Sequence, residues 1–306
     1  MSAPDAAGTD GGSFFTGITH AVAGVLCFAP GAVFVRMAAG INPLEITLHR
    51  MAWTAAAIFV YSISVKHGFL INSRREARDF ALFGLVAALH FGCFVASLSF
   101  TKVSHALALC YTAPIFAALF SAVMLKERCG AVKISGIIVS FVGISILVGF
   151  EPDIGPEILK GDALALVSGI TLGLYHTLGR MYREQYSMPK YNGNVYLFAA
   201  MYLFVTLMTL RAVFPAGFGS VYTAYSLAGV FGSTLFGTLL GHLFVNSALR
   251  RVSTVVVSLI TTQEVTTGVI FAYFALGEAA SLNSAIGILI SLAGIAMVIT
   301  EKNGGQ

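Results

Sequence analysis

Apolar residues run along this chain in blocks of about twenty, separated by short polar turns. Ten blocks can be placed, at 17–39, 43–65, 79–99, 104–126, 131–150, 161–181, 193–214, 224–248, 253–275 and 280–299. Each is long enough, as a helix, to cross a hydrocarbon core of ~30 Å. The turns leave no room for a soluble domain between blocks. The pattern predicts an all-α membrane protein with ten transmembrane helices. Residues 1–16 are polar and glycine-rich, with no Lys or Arg. They lack the basic segment of a signal peptide and read as a disordered tail ahead of a retained first helix.

Composition narrows the class. Of the 306 residues 57% are hydrophobic and 10% are charged, against about 25% charged in a soluble domain. The 24 Phe and 32 Gly suit membrane helices that approach closely through small residues. The net charge of +4 is spread over short turns, which argues against nucleic acid as a partner. Cys27, Cys93, Cys110 and Cys129 have neither CxxC nor metal-ligand spacing. The expectation is a protein without cofactor or metal whose partners are a small-molecule substrate and the lipid bilayer, working as a monomer or homodimer.

Basic residues set the orientation. With ten spans both termini lie on one side. The turns of that side hold Lys66, Arg74, Arg75, Arg78, Lys126, Arg128, Lys133, Arg180, Arg183, Lys190, Arg250, Arg251 and Lys302. The opposite side holds only Arg36, Lys102, Lys160 and Arg211. The 13 to 4 bias predicts cytoplasmic termini, in a bacterial inner (cytoplasmic) membrane. The acidic turn 151–157 then falls outside.

The chain also matches itself. Arg36-Met37 recurs as Arg180-Met181, and Val103-Ser104 as Val252-Ser253. At one offset Thr112-Ala113-Pro114 aligns with Gln263-Glu264-Val265, Glu127 with Glu278, Gly136 with Gly287, and Gly143 with Gly294. Spans 1–5 (residues 17–150) thus correspond to spans 6–10 (residues 161–300). Five is odd, so the second copy enters from the opposite face. Such inverted repeats are common in secondary transporters, with the substrate site near the midplane.

Two apolar spans ending in Lys126-Glu127-Arg128 and Leu276-Gly277-Glu278, each followed by a Gly-rich closing span, resemble the EamA family of the drug/metabolite transporter superfamily. The likeness covers residues 17–300. It implies two five-helix EamA repeats and export of amino acids or other metabolites, with import of a cofactor such as riboflavin as the alternative. Arg50 is similar to an arginine such proteins often carry in the second helix, and Pro114 to their fourth-helix proline. Where the family often has Glu-Pro in the ninth helix, this chain has Glu264-Val265.

The candidate chemistry lies inside the spans. Glu264 stands near the middle of a nearly uncharged stretch, where a carboxylate costs roughly 2.5 to 3.5 kcal/mol on insertion scales. It can bind a substrate amine or carry a proton, or it can be a hydrogen-bonded helix contact with Gln263 or a threonine. Pro114 interrupts helix 4 and frees a carbonyl near residue 110. The expected site is a midplane cavity bordered by Tyr111, Pro114, Gln263 and Glu264. Arg50 and His90 are further members, and Tyr175 and His176 are candidates for the lining. Arg50 can contact an anion or form an ion pair. His90, His176 and His242 can relay protons or act as packing residues. No GxSxG, Walker A or HExxH is present. A membrane enzyme or a sensor is therefore the weaker class, and active transport must draw on an ion gradient or on exchange.

The orientation is testable by thiol labelling in a cysteine-free background. A cysteine at Ser73 should resist an impermeant reagent added outside intact cells; rapid labelling from outside would invert the topology.

Overall fold

The computed structural model describes residues 11–65, 68–127, 129–151, 155–215, 219–276 and 281–300. Lys66, Arg128, Gly277, Glu278, Lys302 and residues 1–10 of the expected tail lie outside them. The described chain is helical throughout, with no strand. Its helices are α1 (Gly11–Phe28), α2 (Gly31–Met37), α3 (Pro43–Ser64), α4 (Arg74–Ser97), α5 (Val103–Cys110), α6 (Ala113–Phe120) and α7 (Ala131–Leu147). There follow α8 (Pro156–Met181), α9 (Met188–Val213), α10 (Ala224–Gly232), α11 (Gly241–Leu249), α12 (Thr254–Thr261), α13 (Glu264–Leu276) and α14 (Leu282–Thr300). Two π-helical turns, Ser121–Leu125 and Ser233–Leu240, continue α6 and join α10 to α11.

Among the described residues, eight stretches are long and apolar enough to cross a bilayer. Two further expected spans fall short of that description. Helix α7 has 17 residues. Helix α3 has 22 but carries Glu45 and Arg50.

Caps explain most differences between the expected and observed ends. Helix α4 starts at Arg74, not 79, because the Ser73 hydroxyl accepts from Glu76 N at 3.2 Å while the Glu76 carboxylate accepts from Asn72 N at 2.8 Å. Helices α8 and α9 start early, at Pro156 and Met188, with Pro156 and Pro189 in their first turns, where a fixed φ suits the helix. Helix α1 is already formed at Gly11, ahead of the expected residue 17, and Phe14 packs on the cluster around Val25, Val245 and Val252.

Glycine sets the tightest helix contact. The glycines of α7 and α14 face each other: a Cβ on Gly143 would lie 2.3 Å from Ser291 N, and one on Gly294 would lie 2.4 Å from Ser140 N. In lipid, such backbone approach replaces the hydrophobic drive that water would supply. Gly169 and Gly173 of α8 likewise abut the backbone of residues 109–117.

Polar straps tie the turns at both ends of the bundle. At the end holding residues 38–42 and 219–223, Val221 N donates to Gly40 O at 2.9 Å. There Glu45 is buried and accepts from Arg211, from Ser220 at 2.9 Å and from Tyr222. Burial and that carboxylate push the Tyr222 phenol up to about 12, so it stays a donor at physiological pH. Asp162 accepts from Thr101 at 2.6 Å and pairs with His105 at 3.1 Å, bracing α8 against α5. At the other end Arg180 pairs with Glu127 at 2.8 Å and donates to Leu249 O at 3.1 Å.

Gly143→Leu or Gly294→Leu should sharply lower the yield of monodisperse protein, since insertion into a well-packed interface costs ~1 to 3 kcal/mol or more. Gly268→Ala, where an added Cβ meets nothing within 4 Å, should be nearly neutral. Equal yields for the two kinds of variant would contradict the packing account.

Candidate functional site

Four spans are irregular at mid-length, and all four contribute residues to one cavity. The first breaks at Ala29-Pro30 between α1 and α2. The second breaks at Tyr111-Thr112, with Pro114 in the first turn of α6. The third contains the π-helical turn Ser233–Leu240. The fourth breaks at Thr262-Gln263. Without proline, the last break is made by threonines. Thr261 and Thr262 hydroxyls donate to Ser258 O at 2.8 Å and Leu259 O at 2.6 Å, and Ser258 O also keeps a bond from Thr262 N at 3.3 Å. Thr112 does the same to Leu109 O at 2.6 Å.

The cavity measures about 360 Å³. Its walls include Phe28, Arg50, His90, Phe91, Tyr111, His176, His242 and Glu264. Val35, Leu98 and Val103 are also in its lining, and all three are exposed. They stand beside turns 38–42 and 98–102, so the cavity opens toward the end of the bundle opposite the termini.

Glu264 opens α13, where the helix N-terminus favours a carboxylate. Its side chain is exposed within the cavity, and Tyr111 OH points at Oε2 from 3.5 Å. Arg50 reaches the same cavity from α3. Its Nε donates to Thr238 Oγ1 at 2.9 Å, and Gly237 leaves room for the guanidinium, since a Cβ there would lie 3.2 Å from Nη2. Arg50 and Glu264 are not joined as a direct ion pair, so a guanidinium and a carboxyl group face the same space.

The histidines differ in their bonding. His90 Nδ1 lies 3.1 Å from Ser168 O. A carbonyl only accepts, so Nδ1 carries the proton and, in the neutral ring, Nε2 is the bare nitrogen. Ser168 Oγ donates back to His90 O at 2.9 Å and fixes this arrangement. His176 and His242 also line the cavity, and the Nδ1 atom of each is buried without a partner. The His242 ring packs between Phe28 and Phe91.

Of the residues expected at the site, Glu264, Tyr111, Arg50, His90 and His176 line the cavity. Three do not. Gln263 turns away, donating to Ser291 Oγ at 2.6 Å and accepting from Thr266 at 2.9 Å, so it ties the break to α14. Pro114 is buried behind the Tyr111 wall. Tyr175 is buried outside the cavity, bonded to Tyr196 at 3.2 Å and Asn246 at 3.0 Å. Thr238, Ser168 and Gly237, which hold Arg50 and His90, carried no sequence signal, because small polar residues and glycines occur on every span. Among the described residues no cluster of His, Cys, Asp and Glu could hold a metal ion.

The model of the EamA-like transporter family matches residues 15–149 and 159–300 of the chain. An uncharacterized transporter of Clostridium kluyveri is 26% identical over 262 residues, covering 83% of this chain and 82% of that protein. An uncharacterized transporter of Archaeoglobus fulgidus is 23% identical over 286 residues, covering 91% of this chain and 96% of that protein. A solved crystal structure superposes with a TM-score of 0.78 at 16% identity, covering 94% of this chain and 96% of that one. That is a likeness of fold alone.

Proposed function

We propose a transport reaction from one premise: the chain belongs to the EamA-like transporter family, and it is a multi-pass membrane transporter. The proposed activity is secondary transport of small metabolites by alternating access between two inverted five-helix halves, ten spans in all. The substrates proposed are amino acids or related amine-bearing solutes, moved outward across the bacterial inner membrane. With both termini cytoplasmic, the cavity described here faces outside.

The observation that carries this reading is the pairing of Glu264 and Arg50 across one cavity. A substrate ammonium would meet the Glu264 carboxylate, and a substrate carboxylate would meet the Arg50 guanidinium. A zwitterion satisfies both charges at once, and a volume of about 360 Å³ lies in the range of ~300 to 1,000 Å³ usual for small-ligand sites. Tyr111, His90 and His176 would supply hydrogen bonds beside them. In the coupling proposed, Glu264 holds either a proton or the substrate amine. The neutral form lowers the cost of crossing between states, and only differential affinity for the two states can drive the shift.

Net flux and exchange of labelled amino acids in proteoliposomes test this. Glu264→Gln should flatten the pH dependence of net flux while exchange persists. Arg50→Gln should raise the half-saturation concentration about tenfold or more, the equivalent of losing a charged hydrogen bond of ~1.5 to 3 kcal/mol. An unchanged pH profile in Glu264→Gln would remove it as the proton site and move the test to His90, His176 and His242.

A further inference from the structure

Buried polar atoms without partners are not spread evenly through this protein. Eleven such side-chain atoms occur among the described residues. Six are Ser or Thr hydroxyls, which can rotate toward a backbone carbonyl of their own helix. The other five are His176 Nδ1, Tyr191 OH, Asn192 Nδ2, His242 Nδ1 and Asn246 Oδ1. All five lie on α8, α9 and α11.

They form one connected patch. His242 is on the cavity wall, with its ring 6.1 Å from that of Tyr175 and 6.3 Å from that of Tyr196. Tyr175 and Tyr196 hydroxyls are 3.2 Å apart. Asn246 Nδ2 donates to Tyr175 OH at 3.0 Å and to Asn192 Oδ1 at 2.5 Å. Beyond them comes Gly179. A Cβ placed there would lie 3.1 Å from Leu249 Cδ1, 3.3 Å from Asn246 Oδ1 and 3.6 Å from Tyr191 OH. Two unpartnered polar atoms therefore approach the bare backbone of residue 179, beside one apolar methyl group. The next residue, Arg180, belongs to the strap that closes the end of the bundle carrying the termini, with Glu127 and Leu249 O. Arg250 donates to Tyr186 O at 2.5 Å at the same end.

A patch knit only for helix adhesion should satisfy its own atoms, because a buried polar atom left unpaired is costly and rare. This one leaves capacity over, and it leads from the cavity floor toward the closed end. We propose that Tyr175, Tyr191, Asn192, Tyr196 and Asn246 form a second hydrogen-bonding station, the hydrated inner half of the transport path. Water and the polar groups of the passing substrate bind there when α8, α9 and α11 part. Irregular or polar surface at membrane depth is tolerated where it lines such a water-filled space. The proposal rests on the transport reading and adds a route to it. It also accounts for Tyr175, which lies outside the cavity yet close beneath it.

The test reads hydration separately from flux. Asn246→Cys, Gly179→Cys and Val195→Cys are made in a chain whose four native cysteines are replaced by alanine, and each is reconstituted in liposomes. The probe is 2-aminoethyl methanethiosulfonate. The proposal expects Asn246→Cys or Gly179→Cys to react at least tenfold faster than Val195→Cys, which is fully buried on α9. Equal rates would overturn it. Failure of the wild type to move any solute would count against the transport reading and leave the labelling result to decide hydration. Asn246→Leu gives the second arm. An unchanged melting temperature with flux reduced tenfold or more supports the station. A higher melting temperature with wild-type flux would mean that the patch only joins helices, and would sink the proposal.

Discussion

A backbone carbonyl or amide released from a helix inside a bilayer finds no water, so the protein itself must satisfy it. That constraint governs where this chain can break its spans. It breaks four of them, and at the best-defined breaks the freed groups are answered locally. Thr112, Thr261 and Thr262 hydroxyls take carbonyls one turn back, and Pro114 removes an amide that would otherwise need a partner. The irregular segments converge on the cavity and deliver Tyr111, Glu264 and the Arg50 cradle to it. The regular helices α7 and α14, locked through their glycines, stand as a rigid pair beside them.

The polar residues at mid-depth divide into two kinds by what they touch. Gln263, Ser168 and Thr238 spend their hydrogen bonds on neighbouring helices and hold the walls in place. Glu264 and the bare nitrogen of His90 face open space. Arg50 does both, anchored through Nε while the rest of the guanidinium faces the cavity. The ends of the bundle follow a different rule. There, the buried Glu45 and the half-buried Asp162 collect several donors each and tie turns together. The cavity rim at Val35, Leu98 and Val103 is apolar, and the space opens there, beside the strapped turns 38–42 and 98–102.

Much of this was legible in the sequence. A lone glutamate in an apolar stretch, a proline in its repeat mate and glycines seven apart are signals that periodicity and membrane energetics can read. The helix break at 262–263 was harder, because the family's proline is absent and the threonines that replace it look like ordinary span residues. The π-helical turn Ser233–Leu240 left no mark at all, since its sequence STLFGTLL is as apolar and regular as its flanks. Side-chain direction was also beyond reach: adjacent residues at a break point to opposite sides, so Glu264 enters the cavity and Gln263 leaves it. Tyr175 failed because in the unbroken α8 it points about 100° away from its neighbour, the cavity-lining His176. The ten spans read from the pattern stand against eight that meet the criteria of length and apolarity. At α3 the polar Glu45, His49 and Arg50 lower the apolarity of the helix.

The Glu264 carboxylate at the mid-length break faces open space, while Glu45 at the end of the bundle is sealed. Treating the reconstituted protein with a water-soluble carbodiimide and a small amine, then locating adducts by peptide mass spectrometry, tests this without knowledge of the substrate. The account predicts an adduct on Glu264 and none on Glu45, which is walled in by Arg211, Ser220 and Tyr222. An unmodified Glu264, or a Glu45 that reacts as readily, would contradict it.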